Sequence, residues 1–144
     1  MNMLSIVIIG FIVLEATNVV ALYFFPGSKY ANSVGIFKAW EASKQEPEIH
    51  DFVKYLVNWV AGTKLIFLLL LIVILFTADD QGLFYTGLAL VISISSFFWR
   101  LFPLIRKMDR DDQIDPKNYS AILGFMISVF VLVFLAAILI SGGG

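Results

Sequence analysis

The sequence predicts an all-α integral membrane bundle of four transmembrane helices, with a short cytoplasmic interfacial helix between the first two. The first observation behind this is composition. Of 144 residues, 60% are hydrophobic and 15% are charged, against about 45–50% and about 25% in soluble domains. The second is arrangement. The apolar residues gather into four long runs, each able to supply the roughly 20 residues that a bilayer crossing needs. The third is the placement of basic residues, which fall in alternate connections. Four crossings and their connections fill this length as a single domain, residues 1–144.

The first run spans about residues 3–25 and ends at Pro26-Gly27, neither of which continues a helix well. No basic residue precedes it and no small-x-small cleavage pattern follows, so it reads as a retained span and not as a signal peptide. A short segment, about 32–44, follows. Val34, Ile36, Phe37 and Trp40 fall on one arc, as an interfacial helix with a tryptophan anchor requires. Glu41 and Lys44 intrude on that arc, and a connector folded against the bundle is the alternative reading.

The second run, about 47–77, opens with Glu46-Pro47-Glu48, proline in the first turn and acids near the positive end of the helix dipole. At roughly 30 residues it exceeds the bilayer, so its first turns, with His50, Asp51 and Lys54, should project beyond the hydrocarbon. The third run covers about 83–105, with Pro103 near its end. The fourth covers about 116–140, with Asp115 as N-cap and Pro116 at the first helical position. The tail Ser141-Gly142-Gly143-Gly144 has a flexible composition.

Orientation follows from lysine and arginine in short connections. Lys29, Lys38, Lys44 and Lys54 lie in or beside the first, and Arg100, Arg106, Lys107, Arg110 and Lys117 in or beside the third. The second, Ala78–Gly82, has none. The first and third connections should therefore be cytoplasmic and both termini outside, in a bacterial inner membrane or a plasma membrane.

The chain has no cysteine and one histidine, which excludes disulfides, thiolate metal sites and multi-histidine cofactor sites. No cofactor is implied. The acidic group Asp109, Asp111, Asp112 and Asp115 lacks the glycine and terminal glutamate of a calcium loop, so no metal site is expected. Basic residues beside membrane segments and a net charge of -1 give nucleic-acid binding no support. Phosphate-loop, zincin and nucleophile-elbow motifs are missing.

Chemistry concentrates instead at the middle of the apolar runs. Counting about 1.5 Å per residue puts the first centre near Leu14 and, with the hydrocarbon portion of the second run taken as about Tyr55 to Thr77, the second near Ile66. Glu15 is then central, and Lys64 lies about 3 Å to the cytoplasmic side. A lone charge at that depth costs at least about 2.5–3.5 kcal/mol, so the two should pair across sequential antiparallel helices. Asn18 shares the face of Glu15, since residues three apart are neighbours. In the third run Thr86, Ala89, Ser93, Ser96 and Arg100 recur at steps of three and four. That stripe reads either as a close-packing seam or as the wall of a hydrated cleft with Arg100 at its mouth.

Two functions follow. One is a small homo-oligomeric transporter or channel for protons, cations or a small solute. Glu15, Asn18, Lys64, Ser93, Ser96 and Arg100 would be its ligand-binding residues. The other is a non-catalytic scaffold or accessory subunit of a larger membrane complex, in which Glu15 and Lys64 form a structural ion pair. A lipid-modifying enzyme using Glu15 as acid/base is a distant third. The expected partners are the lipid bilayer and a homo-oligomer or other membrane subunits. Four short spans with a central glutamate in the first resemble small multidrug exporters. The match is confined to Glu15 and its depth, and the long first loop and facing Lys64 depart from that pattern.

Overall fold

A computed structural model describes residues 2–142. Among them every regular element is helical. Helix α1 covers Met3–Phe24, α2 Lys38–Ser43, α3 Pro47–Thr77, α4 Asp80–Ser95, α5 Phe97–Arg110 and α6 Tyr119–Gly142, with a single 3-10 turn at Val34–Ile36. Four helical stretches are long and apolar enough to cross a membrane: α1, α3, α4 with α5, and α6. Ser141 and Gly142 close α6, so half of the glycine-rich tail is helical. Gly143 and Gly144 lie outside the described residues.

The chain ends of α1 explain where it starts and stops. Asn2 accepts from the amide of Ser5 at 2.8 Å and from its hydroxyl at 2.9 Å, which satisfies amides that the first turn leaves free. Pro26-Gly27 ends the helix in a turn. Helix α1 packs chiefly on α3, and α6 packs on α4, α1 and α5. One core lies at the end carrying Asn2 and the α3–α4 turn, built from Leu4, Ile8, Leu71, Leu83, Leu90, Phe134 and Ala137. Gly87 permits the close approach of three helices there. A Cβ on it would stand 3.1 Å from both Leu4 and Ile138.

The third apolar run is broken, and the expected stretch of about 83–105 divides at Ser96 into α4 and α5. Two local causes meet at this point. Pro103 has no N–H, so the carbonyl of Trp99 loses its helical partner. One turn earlier, the Ser96 hydroxyl bonds the Ser93 carbonyl at 2.6 Å, and the amide of Trp99 bonds Ser96 three residues back, a tighter winding than α. After the break α5 is amphipathic. Trp99, Leu101 and Leu104 are exposed on it and Ile105 is buried, while Arg100, Arg106, Lys107 and Arg110 supply its charge.

The first and third connections meet at one end of the bundle. Phe37 and Ile114 form an antiparallel bridge. The Lys38 amide donates to Gln113 at 3.0 Å and the Asp115 amide to Ile36 at 2.9 Å. Lys38 pairs with Asp112, and Lys29 with Asp115. Below this clasp, Ile36, Ile105, Ile114 and Leu123 make a second small core. The opposite end joins Asn2 to Asp80, whose side chains are 2.9 Å apart.

Two local expectations fail here. Asp115 does not cap α6, because Lys29 and the Ile36 pairing hold it in the connection. The helix starts at Tyr119, and Asp109 of α5 reaches across to cap it. That carboxylate accepts from the amides of Asn118 at 3.0 Å and Ser120 at 2.9 Å, and from the Ser120 hydroxyl at 2.7 Å. Nor is Trp40 an outward anchor. It is 6% exposed and packs with Leu22, Val57 and Ala61, its ring 4.9 Å from that of His50.

The clasp carries a pH dependence. Hydrogen bonding to Lys29 lowers the Asp115 pKa and hydrogen bonding to Lys38 lowers that of Asp112, while the Asp115 contact raises that of Lys29. A lowered carboxylate favours the fold above its unfolded value, about pH 4, and loses that contribution as pH falls through its folded value. The raised lysine contributes fully below about pH 10.4 and stops as pH rises through its folded value. Hydrogen-exchange protection of the Lys38 and Asp115 amides should therefore hold at neutral pH and fall selectively below about pH 4. In Asp115→Asn that acid-dependent loss should shrink.

Candidate functional site: a polar triad in the helix seam

The site is set by two matching patterns. On α1, Leu4, Ile8, Phe11, Glu15, Asn18 and Leu22 follow one another at alternating steps of four and three residues. On α3, Val57, Ala61, Lys64, Leu68 and Leu71 do the same. This is the spacing of a helix-pair seam, in which every member turns towards the partner helix. The apolar members are all buried, and so is Asn18. Glu15 and Lys64 alone keep accessible surface, 28% and 30% of their side chains.

The charged ends meet. Lys64 Nζ donates to Glu15 Oε2 at 2.6 Å and to Asn18 Oδ1 at 2.6 Å. One ammonium thus bridges a carboxylate and an amide on successive turns of α1. Asn18 is oriented from its other side. Its Nδ2 donates to the carbonyls of Ala31 at 2.6 Å and Asn32 at 3.0 Å. Both residues have φ near the left-handed region, 54° and 53°, which turns two successive carbonyls back towards α1. Asparagine tolerates that conformation and alanine does so at a cost. Asn32 in turn accepts from the Tyr119 hydroxyl at the head of α6. A continuous hydrogen-bonded line therefore runs from Glu15 through Lys64, Asn18 and the first connection to α6.

A lateral, apolar groove lies beside the stem of Lys64. Lys64 lines this shallow groove of about 300 Å³ with Trp59, Val60 and Thr63 on the outer side of α3. Towards the connections, Asn18 and the Ala31–Asn32 carbonyls close the way. Ser93, Ser96 and Arg100 belong to a different surface. All three are exposed, and among the described residues none hydrogen-bonds to Glu15, Asn18 or Lys64. Arg100 stacks over Trp99 at 5.4 Å. The small-polar stripe of α4 also differs from the seam expected of it. Leu83, Gly87 and Leu90 face the core, while Ala89, Ser93 and Ser96 face outward. The Thr86 hydroxyl bonds its own helix at Gly82.

The triad brings a carboxylate, an ammonium and a fixed amide together through two 2.6 Å hydrogen bonds. Among the described residues, no three of the His, Asp and Glu side chains converge as metal ligands. The acidic group of the third connection is dispersed, Asp109 to α6, Asp112 to Lys38 and Asp115 to Lys29. Ala31, Asn32 and Tyr119 were beyond sequence reasoning. A polar side chain near a helix end was the only signal, and many residues share it. Set against known protein families, curated proteins and solved structures, the chain matches none.

Removing one member of the pair strands the other in the seam. Glu15→Gln and Lys64→Met should each cost about 2 kcal/mol, less than a fully sealed pair because a quarter to a third of each side chain is accessible. The double variant should recover part of the loss. A thermal-unfolding cycle measures this, and strictly additive losses would show that the two residues are uncoupled.

Proposed function

We propose that this chain is an integral membrane protein in which α1, α3, α4 with α5, and α6 form four crossings. The first and third connections lie on the cytoplasmic side and both termini outside. The clasp joins the two lysine- and arginine-rich connections at one end, which supports placing them on one side of the bilayer. Exposed leucine, isoleucine and phenylalanine around α3 and α6 suit a lipid surround. With 16 residues, α4 is about 24 Å long, and α5 completes the crossing beside the first turns of α6, with Phe102 against Gly124 and Asp109 bonded to Ser120. The segment of residues 32–44 lies at the cytoplasmic boundary, with Trp40 turned inward.

The function that this geometry supports best is passage of protons or small cations through the Glu15–Lys64 site. One observation carries the reading. Among the α1 and α3 positions named for the seam, the only accessible ones are the two charges. A pair serving registration alone has no need of an opening, whereas an ionisable group that loads and unloads must meet a donor. Glu15 binds the proton or cation, Lys64 is its competing counter-charge and Asn18 holds Lys64 in place. Because the groove beside Lys64 is lateral, apolar and lined by Trp59, Val60 and Thr63, the working unit covers it with another helix, from a second copy or another membrane subunit. Ser93, Ser96 and Arg100 belong, if anywhere, to that neighbouring surface.

A scaffold is the second reading. Asn18 favours it, because the asparagine is fully engaged between Lys64 and two carbonyls and leaves no free group there for a ligand.

Purified protein in liposomes separates the two. With a potassium gradient and valinomycin driving proton entry, an internal pH-sensitive dye should report flux above empty liposomes. Glu15→Gln should cut that flux by at least about tenfold, the order expected for loss of the acid/base group, with unchanged elution of the oligomer. No flux under any gradient, with Glu15→Gln altering only stability or co-purification, would favour the scaffold.

A further inference from the structure

A second cleft shares no lining residue with the triad. It lies between the end of α5 and the start of α6, encloses about 420 Å³, and is lined by Arg106, Asp109, Arg110, Asp112, Lys117, Asn118 and Ser120. Three cations face two carboxylates, and both carboxylates are committed. Asp109 spends both oxygens on the first amides and the hydroxyl of α6. Asp112 holds Lys38 at 2.7 Å and lies 3.8 Å from Lys117. Arg110 reaches only its neighbour Asp111, at 3.7 Å. Among the described residues Arg106 has no carboxylate within salt-bridge distance. Arg106 and Arg110 are four apart and so project from one face of α5, with Lys117 opposite them from the connection. The cleft thus holds a guanidinium without an anion and two further cations loosely paired.

Its surroundings specify the ligand further. Trp99, Leu101 and Leu104 are exposed on α5, apolar side chains on the same short helix as the two arginines. Exposed Tyr30, Tyr55 and Trp59 ring the same end of the bundle, and tryptophan and tyrosine favour headgroup depth. A guanidinium pair matches two oxygens of a phosphate group.

We infer that this cleft binds a phosphate group, gripped by Arg106, Arg110 and Lys117. Two sources share that chemistry, the headgroup of an anionic phospholipid and a soluble phosphate. The site is independent of the Glu15–Lys64 reading, since no residue is common to both.

Intact-protein mass spectrometry from neutral detergent tests it, with short-chain phosphatidylglycerol, short-chain phosphatidylcholine or inorganic phosphate added in turn. Retained phosphatidylglycerol, with phosphatidylcholine and inorganic phosphate unretained, assigns the site to lipid headgroups. Inorganic phosphate that is retained and displaces phosphatidylglycerol assigns it to soluble phosphates. In either case Arg106→Gln and Lys117→Gln should each weaken binding by about tenfold, as expected for loss of a charge-assisted hydrogen bond. Arg106→Lys should recover part of it, and Lys54→Gln, an exposed lysine near the same end, should leave it unchanged. Retention of none of the three, or equal weakening by Lys54→Gln and Arg106→Gln, would overturn the inference.

Discussion

Lys64 donates two 2.6 Å hydrogen bonds across the α1–α3 seam, to Glu15 and Asn18, and much of the rest is arranged to make that arrangement stable. An ammonium among Ala61, Leu68 and Leu71 must find acceptors or neutralise. Sliding α1 along α3 by one turn would place it opposite Phe11 or Leu22 instead. The pair therefore fixes register in a seam whose apolar members are similar enough to pack in more than one way. Asn18 extends the constraint. Its amide is used on both sides, so the turn at Ala31–Asn32 must present two carbonyls, and Tyr119 holds Asn32 from α6.

The same logic orders the clasp end. With the first connection held by Asn18, Ile36 and Phe37 are positioned to pair with Gln113–Asp115, and the residues of the third connection are drawn away from helix. Helix α6 consequently begins late, and Asp109 supplies from α5 the cap that its own chain has given to Lys29. Acidic residues in one connection look alike in sequence, yet each has a different partner. The triad and the clasp end are thus joined through the first connection, by Asn18 at Asn32 and Tyr119 at Asn32.

Much of this was legible from residues alone. Proline and glycine mark the ends of α1 and the start of α3, and counting depth from those ends brings Glu15 and Lys64 to one level. Position within a long, unbroken helix is a nearly linear function of residue number, which makes such counting dependable. What escaped depends on competition between local partners. The break at Ser96 coincides with a hydroxyl bond to Ser93 and precedes Pro103 by about two turns. The cap from Asp109 depends on Asp115 being engaged elsewhere. Trp40 carries the composition of a membrane anchor, but the gap between α1 and α3 takes its ring. The stripe at Ala89, Ser93 and Ser96 has the spacing of a packing face. The equally periodic Leu83, Gly87 and Leu90 win that face because they bury more apolar area, and Gly87 admits the neighbouring helices.

The central claim is that the two charges are the open positions of an otherwise closed seam. Water-edited solid-state NMR of the protein in bilayers tests it most directly, by following magnetisation transfer from water to assigned side chains. Transfer should reach Glu15 and Lys64 early, and Ile8, Ala61 and Leu68 late. Transfer to Glu15 and Lys64 as slow as to those three neighbours would show a sealed pair and contradict the account.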